Sequence, residues 1–189
     1  MSDWRDYFEI IESKHVVPNL KFQKIYVYKN RNVEILPIGL PMPPTISFDC
    51  MFLDCKSLSN IDALKDWDTS EIVSMKYMFY NCKSLSNIDA LNNWNTSCIE
   101  DISYMFYGCK SLSNVDVLKF WNTRNVKDIH NMFRDCKTLP NIDCLKIWDT
   151  RNVINMSGMF YGCSSLSTYP NNLDELKSFT AKTMNDICI

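Results

Sequence analysis

Apolar residues recur along this chain in register rather than in blocks. A Met-Phe pair stands at 51/52, 78/79, 105/106, 132/133 and 159/160. Cys follows at 55, 82, 109, 136 and 163, and Trp at 67, 94, 121 and 148, so the period is 27 residues with no insertion. Four full units (51–77, 78–104, 105–131 and 132–158) and a truncated fifth make up most of the molecule. Phe48 aligns with Met75, Ile102, Ile129 and Met156, so a half unit at Thr45–Cys50 starts before the first Met-Phe pair. A fixed period in this range marks a stack in which each unit packs on its neighbours and none buries its apolar face alone.

Within a unit, Leu58, Ile61 and Ala63 read as inward positions of a short strand from which Asp62 points the other way. The column of Ala63 holds Ala90, Val117 and Cys144 in the other units. Trp67, Ile72 and Met75 supply the return side, and Met78-Phe79 and Cys82 close the turn. Stacking then sets parallel strands about 4.8 Å apart with like residues above like. The predicted fold class is a repeat solenoid, a parallel β solenoid of about five 27-residue coils. A stacked Trp buries roughly 150–250 Å², which at ~25 cal/mol/Å² contributes several kcal/mol per rung before entropy is subtracted. The Trp-[Asp/Asn]-Thr run ending at Thr69, Thr96, Thr123 and Thr150 predicts a side-chain-bonded corner.

The ends break the period. Trp4, Tyr7, Phe8 and Ile11 have the i, i+3, i+4, i+7 spacing of a short amphipathic helix over 3–14, capped by Ser2 or Asp3 and stopped at Pro18. Residues 20–28 and 33–38 read as two strands around Lys29-Asn30-Arg31-Asn32, and 36–44 as a stiff Pro-rich joint. The chain thus divides into an N-terminal cap (1–44, helix plus β-hairpin), a solenoid (45–168) and a C-terminal cap (169–189). In the last, a short helix from Leu173 to Met184 sets Leu173, Leu176 and Phe179 on one side. An array must cover its end faces to stay soluble. Residues 1–44 are also non-repetitive, so a specific docking function is an alternative role for them.

Composition narrows the function classes. With 46% hydrophobic and 22% charged residues the chain is ordinary for a folded protein. A net charge of −2 provides no basic field for nucleic acid or an anionic membrane. No apolar run is long enough to insert in a membrane, and the acidic start MSDWRDYFEIIESK lacks the features of a signal peptide, which predicts a cytoplasmic or particle-associated protein, a virion among the options. Of nine Cys, five share one repeat position while Cys50, Cys98, Cys144 and Cys188 lie off it. That is the pattern of a buried thiol column rather than of paired bridges, although stacked rungs bring neighbouring Cys towards disulfide range. There is no CxxC, and two His leave no second half for a zinc site.

Catalytic groups are equally sparse. His15 lies in the cap, and His130 aligns with Lys76, Ser103 and Ser157, which predicts a surface residue. Neither His has a recurring Ser or Cys partner, and four scattered Gly exclude a phosphate loop. The sequons at Asn95 and Asn155 matter only after export. No catalytic, cofactor-binding or metal residues are therefore expected, and no cofactor. One polar column stands out: Asp62, Asp89, Asp116 and Asp143, flanked by Asn60, Asn87, Asn114 and Asn141. Aligned carboxylates repel, so the column implies nearby Lys56, Lys83, Lys110 and Lys137, a neutralising partner or cation, or simply a solvated face copied by duplication. Phe120 is the sharpest variable position, because Asp66, Asn93 and Ile147 fill its column elsewhere. An exposed Phe there is a candidate protein contact.

The run MFYGCKSLSNVDVL with WNTRNV after it resembles the BspA-like leucine-rich repeats, in the variant often labelled a Mycoplasma or bacterial surface-protein repeat. The likeness covers about 46–168, and the fifth copy, MFYGCSSLS, follows the pattern most closely. It implies a curved parallel β solenoid used for protein–protein contact, adhesion or display, without catalysis. Members occur on bacterial and protist surfaces, and related repeats in large DNA viruses. This chain departs from the pattern in its start, in its slightly longer unit and in Trp where Phe is usual. The expected function is a non-catalytic structural and protein–protein interaction module, intracellular or part of a larger particle such as a virion, with other proteins as partners. The alternative is a surface adhesin exported by an unrecognised route.

Overall fold

The structure, a computed structural model, describes residues 3–12 and 24–167. Successive units lie directly on one another. Single-residue parallel bridges join Ser47 to Ser74, Ser74 to Asp101, Asp101 to Asp128 and Asp128 to Asn155. Beside this column the amides of Phe48, Cys50, Phe52 and Asp54 donate to the carbonyls of Ser74, Lys76, Met78 and Tyr80 in the next unit. The same set repeats from Met75–Asn81, Ile102–Gly108 and Ile129–Asp135. The intervening amides bond back three residues, as Met51 does to Phe48, Leu53 to Cys50 and Cys55 to Phe52. Backbone groups inside the stack are thus satisfied alternately by the neighbouring unit and by the local turn.

This alternation needs left-handed backbone twice per unit, at the third residue of the 48–51 and 52–55 turns, as type II turns require. Cys50, Tyr77, Tyr104, Asn131 and Gly158 form one such column, and Asp54, Asn81, Gly108, Asp135 and Gly162 the other, all with φ between 54° and 75°. Asn, Asp and Gly adopt this conformation readily, whereas the Tyr residues are held in it by the ladder. Gly108 also has no room for a side chain, since a Cβ there would sit 2.4 Å from Asn81 Oδ1.

The stretch expected as a repeating strand is instead a 3-10 turn: Asp62–Leu64, Asp89–Leu91, Asp116–Phe120 and Asp143–Ile147. Leu58, Ile61, Leu64 and Trp67 are all buried at a spacing of three, and so are their counterparts in the next three units. That is the period of a 3-10 helix, whereas strand alternation would have turned Leu64 outward. Asn60 reinforces the turn by accepting the Asp62 amide at 2.8 Å, as Asn87 does for Asp89 at 2.6 Å and Asn114 for Asp116 at 2.8 Å. Such local side-chain bonds compete with sheet pairing. The parallel β expectation is therefore corrected: the stretch read as a strand forms 3-10 turns, and the recurring parallel bridges are single residues on the return side, at Ser47, Ser74, Asp101, Asp128 and Asn155.

Inside the stack like does lie on like. Phe52, Phe79, Phe106, Phe133 and Phe160 form a column of parallel rings 5.5–5.9 Å apart. Each Trp turns its Nε1–H onto a carbonyl of the preceding level: Trp67 on Leu40 (2.9 Å), Trp94 on Leu64 (3.0 Å), Trp121 on Leu91 (3.4 Å) and Trp148 on Leu118 (2.8 Å). Cys82, Cys109, Cys136 and Cys163 donate Sγ–H to the carbonyls of Phe52, Phe79, Phe106 and Phe133 in the same way. At the corner, Asp68, Asn95, Asn122 and Asp149 accept the amide two residues on at 3.0–3.3 Å. Thr69, Thr96 and Thr123 then reach forward to the carbonyls of Asn95, Asn122 and Asp149. Each such bond is worth about 1 kcal/mol net; Trp in place of Phe gains one per level.

At the N-terminal end β1 (Phe8–Glu12) pairs antiparallel with β2 (Lys24–Tyr28), Phe8 opposite Tyr28 and Glu12 opposite Lys24. The helix expected over 3–14 is thus reduced to one 3-10 turn, Trp4–Asp6, with Asp3 accepting the Arg5 amide. Trp4 and Phe8 pack edge-on against Tyr26 and Tyr28, 5.2 and 5.4 Å between ring centres, so a strand partner meets the apolar face that the helix would have had to bury. The expected hairpin of 20–28 with 33–38 is likewise corrected: Ile35 makes a single parallel bridge, to Asn60. Phe8, Tyr28, Leu36 and Leu40 join the same core as the first unit. His15, Pro18, residues 20–23 and the expected 169–189 cap, with its Leu173–Met184 helix and Cys188, lie outside the described residues.

Candidate interaction surface

The 3-10 turns form one solvent-facing edge of the stack. Their first residues are the predicted acidic column, and Asp62, Asp89, Asp116 and Asp143 are all exposed. Asn60 and Asn87 each donate Nδ2–H to the neighbouring carboxylate at 2.9 Å. Asp143 pairs with Lys146 on its own turn at 2.7 Å. Asp62, Asp89 and Asp143 thus find a partner for the carboxylate within three residues along the chain.

The far end of the same turns changes down the stack. In the first two units the turn stops after three residues and is followed by Lys65-Asp66 and Asn92-Asn93. In the next two it runs for five and ends on Phe120 and Ile147. These occupy equivalent positions on adjacent units and remain 63% and 68% exposed. The Lys119 ammonium lies over the Phe120 ring, 5.0 Å from its centre. Asp89, Asn92, Asp116, Val117, Lys119 and Phe120 line a single recess, so three of the predicted contact residues come together. Asp62 borders a second groove with Ile38, Asp66, Trp67 and Asp68. Reading the sequence missed Ile147 and the fully exposed Ile38 as surface features. The signal for Ile147 was present in its column, which runs Asp66, Asn93, Phe120, Ile147.

Elsewhere the titratable groups are turned inward. Cys55, Cys82, Cys109, Cys136 and Cys163 are buried free thiols. Burial pushes Cys55 up to about 11 and Cys163 to about 12, and holds Cys82, Cys109 and Cys136 well above the usual thiol range. A column of protonated thiols supplies no nucleophile at neutral pH. His130, expected at the surface, is instead partly packed: Nδ1 lies 2.5 Å from Asp128 Oδ1 and the ring stands edge-on to Tyr104. Tyr77 stacks on Tyr104, and Tyr80 on Tyr107, with centres 4.5 and 4.6 Å apart. Asp49 is a buried carboxylate that accepts from Ser74 Oγ at 2.5 Å and the Lys76 amide at 3.0 Å, and burial raises it to about 6. Among the described residues no three His, Cys, Asp or Glu gather where a metal ion could sit, and no helix is long and apolar enough to cross a membrane.

The tandem units and their buried Phe, Cys and Trp columns describe a protein of stacked repeats. The chain belongs to the family described as Mycoplasma protein of unknown function, DUF285, which matches residues 46–173. Among solved structures it is similar to a leucine-rich repeat protein from Bacteroides ovatus, with 16% identity over 85% of this chain and a TM-score of 0.40; the match spans 45% of that protein. It is also similar to a T. pallidum leucine-rich repeat protein, with 18% identity, 96% and 94% of the two chains covered and a TM-score of 0.37. No curated protein matches the chain.

Proposed function

We propose that this chain is a non-catalytic protein-interaction module of the BspA-like kind. In this reading about five 27-residue coils form one short solenoid, closed by residues 1–44 and 169–189, and the edge of 3-10 turns meets another protein. The observation that carries the reading is the exposed Phe120–Ile147 pair beside a recess lined by Asp89 and Asp116. Adjacent apolar side chains held in water by regular backbone mark a contact surface, since each would be buried at no structural cost if the fold could use it. The tandem units of the chain support it, because stacked repeats present extended surfaces. The partner is another protein rather than nucleic acid, for which a net charge of −2 offers no attraction.

The test is fractionation of the native source followed by cross-linking, comparing the natural chain with a Phe120→Ser/Ile147→Ser double variant. The natural chain is expected to enter a defined complex that the variant fails to join. The fraction that contains the complex, a particle such as a virion or a cell surface, identifies the setting. A chain that remains monomeric and captures nothing overturns the proposal.

A further inference from the structure

The interaction edge is not uniform along the stack. At its N-terminal end the groove beside Ile38 is bordered by Asp62, Asp66 and Asp68, with Lys65 as the single ammonium. Around the exposed pair at the other end, Asp116 and Asp143 are matched by Lys119 and Lys146. The edge therefore passes from acidic to neutral and apolar within four units, and one column, Asp66, Asn93, Phe120, Ile147, traces the change.

Resting on the interaction reading above, we infer that this edge binds an extended segment of another protein, laid along the stack with apolar side chains over Phe120 and Ile147 and basic ones over Asp62 and Asp66. The apolar pair supplies the desolvated anchor, and the acidic end sets the direction of the segment. Two rungs separate Phe120, the nearer apolar residue, from Asp66, about 10 Å at ~4.8 Å per rung. Extended chain covers that distance in about three residues at ~3.3–3.6 Å each, so the basic side chains follow the apolar ones at that interval. Other occupants lack the complementary charge. Residues 168–189 of the same chain carry Asp174, Glu175 and Asp186 against Lys177 and Lys182. A second copy meeting this edge with its own would set carboxylates against carboxylates if parallel, or against the apolar pair if antiparallel, and neither is complementary.

Fluorescence anisotropy with two labelled synthetic peptides tests the assignment on the full chain. One peptide carries leucines, a Gly-Ser spacer of about two residues and then arginines; in the other, glutamates replace the arginines. The arginine peptide is expected to bind at least about tenfold more tightly. Asp62→Asn/Asp66→Asn should remove that preference while leaving the weaker leucine-dependent binding, and Phe120→Ser/Ile147→Ser should abolish both. Equal binding of the two peptides, or binding indifferent to these substitutions, overturns the segment assignment. So does binding of this edge to vesicles of anionic lipid, which would assign a membrane instead. If a native complex depends on Phe120 and Ile147 but not on Asp62 and Asp66, the interaction reading survives and the segment assignment falls. If no native complex forms and neither peptide binds, both fall.

Discussion

The interior columns and the 3-10 edge were copied by the same duplications, yet they diverged differently. Phe, Cys and Trp recur unchanged at their interior positions because each Phe stacks on Phe while the Cys from Cys82 onward and each Trp bond a carbonyl of the neighbouring level, and a different side chain would leave a gap or lose the bond. At the edge, the column that begins at Asp66 passes through Asn and Phe to Ile without disturbing a neighbour, since its side chains point into solvent. For these columns identity reports packing, and drift reports the freedom to acquire a contact. Phe120 and Ile147 are informative because they drift towards apolar side chains where packing asks for none.

The largest expected effect breaks the interior. Trp94→Ala removes a buried indole and its bond to the Leu64 carbonyl, and should cost about 3–5 kcal/mol in denaturant unfolding. Trp94→Phe should cost less, separating the lost hydrogen bond from lost volume.

Asp49 sharpens the comparison because it is an interior position that does not repeat: Lys76, Ser103, His130 and Ser157 fill its column. Burial is the main cause of its rise to about 6, with Asp101 adding to it and the bonds from Ser74, Ser47 and Lys76 opposing it. A raised carboxyl contributes stability that is complete below its unfolded value of 3.8 and is lost as pH rises through about 6. Asp49→Asn should therefore match the natural chain near pH 4 and exceed it at pH 7.5 by about 2–3 kcal/mol. Thermal unfolding of both chains across that range checks the sign, and an advantage of Asp49→Asn that does not grow from pH 4 to pH 7.5 would contradict it.

Gly108→Ala should cost about 1–3 kcal/mol, because φ is +70° and the new Cβ would meet Asn81 Oδ1. The double variant with Asn81→Gly should recover part of the loss, as chemical denaturation of both would show. Phe120→Ser stands at the bottom of the scale. Its stability should change by no more than about 0.5 kcal/mol, so any loss of complex formation reads contact and not folding.

The 27-residue period, the half unit before Met51, the Trp and Cys columns and the bonded corner were all legible in the sequence, because each is written as a recurring residue type. The 3-10 turns were legible too, at Leu58, Ile61, Leu64 and Trp67, but the shorter pattern Leu58, Ile61, Ala63 fits a strand equally well and hides the spacing of three. At the N-terminus, helical spacing was real but tertiary pairing with Tyr26 and Tyr28 prevailed. The positive φ of Tyr77 and Tyr104 could not be read at all, since no propensity of Tyr favours it and only the ladder imposes it. Of the candidate site, Phe120 was visible from its column; Ile147 stands in the same column but was overlooked, because an Ile in a repeat reads first as core.

Site-directed photo-cross-linking in native extract tests the central claim most directly. A photoreactive residue is placed in turn at position 120, at 147 and at 137, where Lys137 is exposed and lies outside the 3-10 turns. Adducts to one and the same protein from 120 and 147, and none from 137, are the predicted result. Adducts that favour 137, or that do not distinguish the three positions, would contradict it.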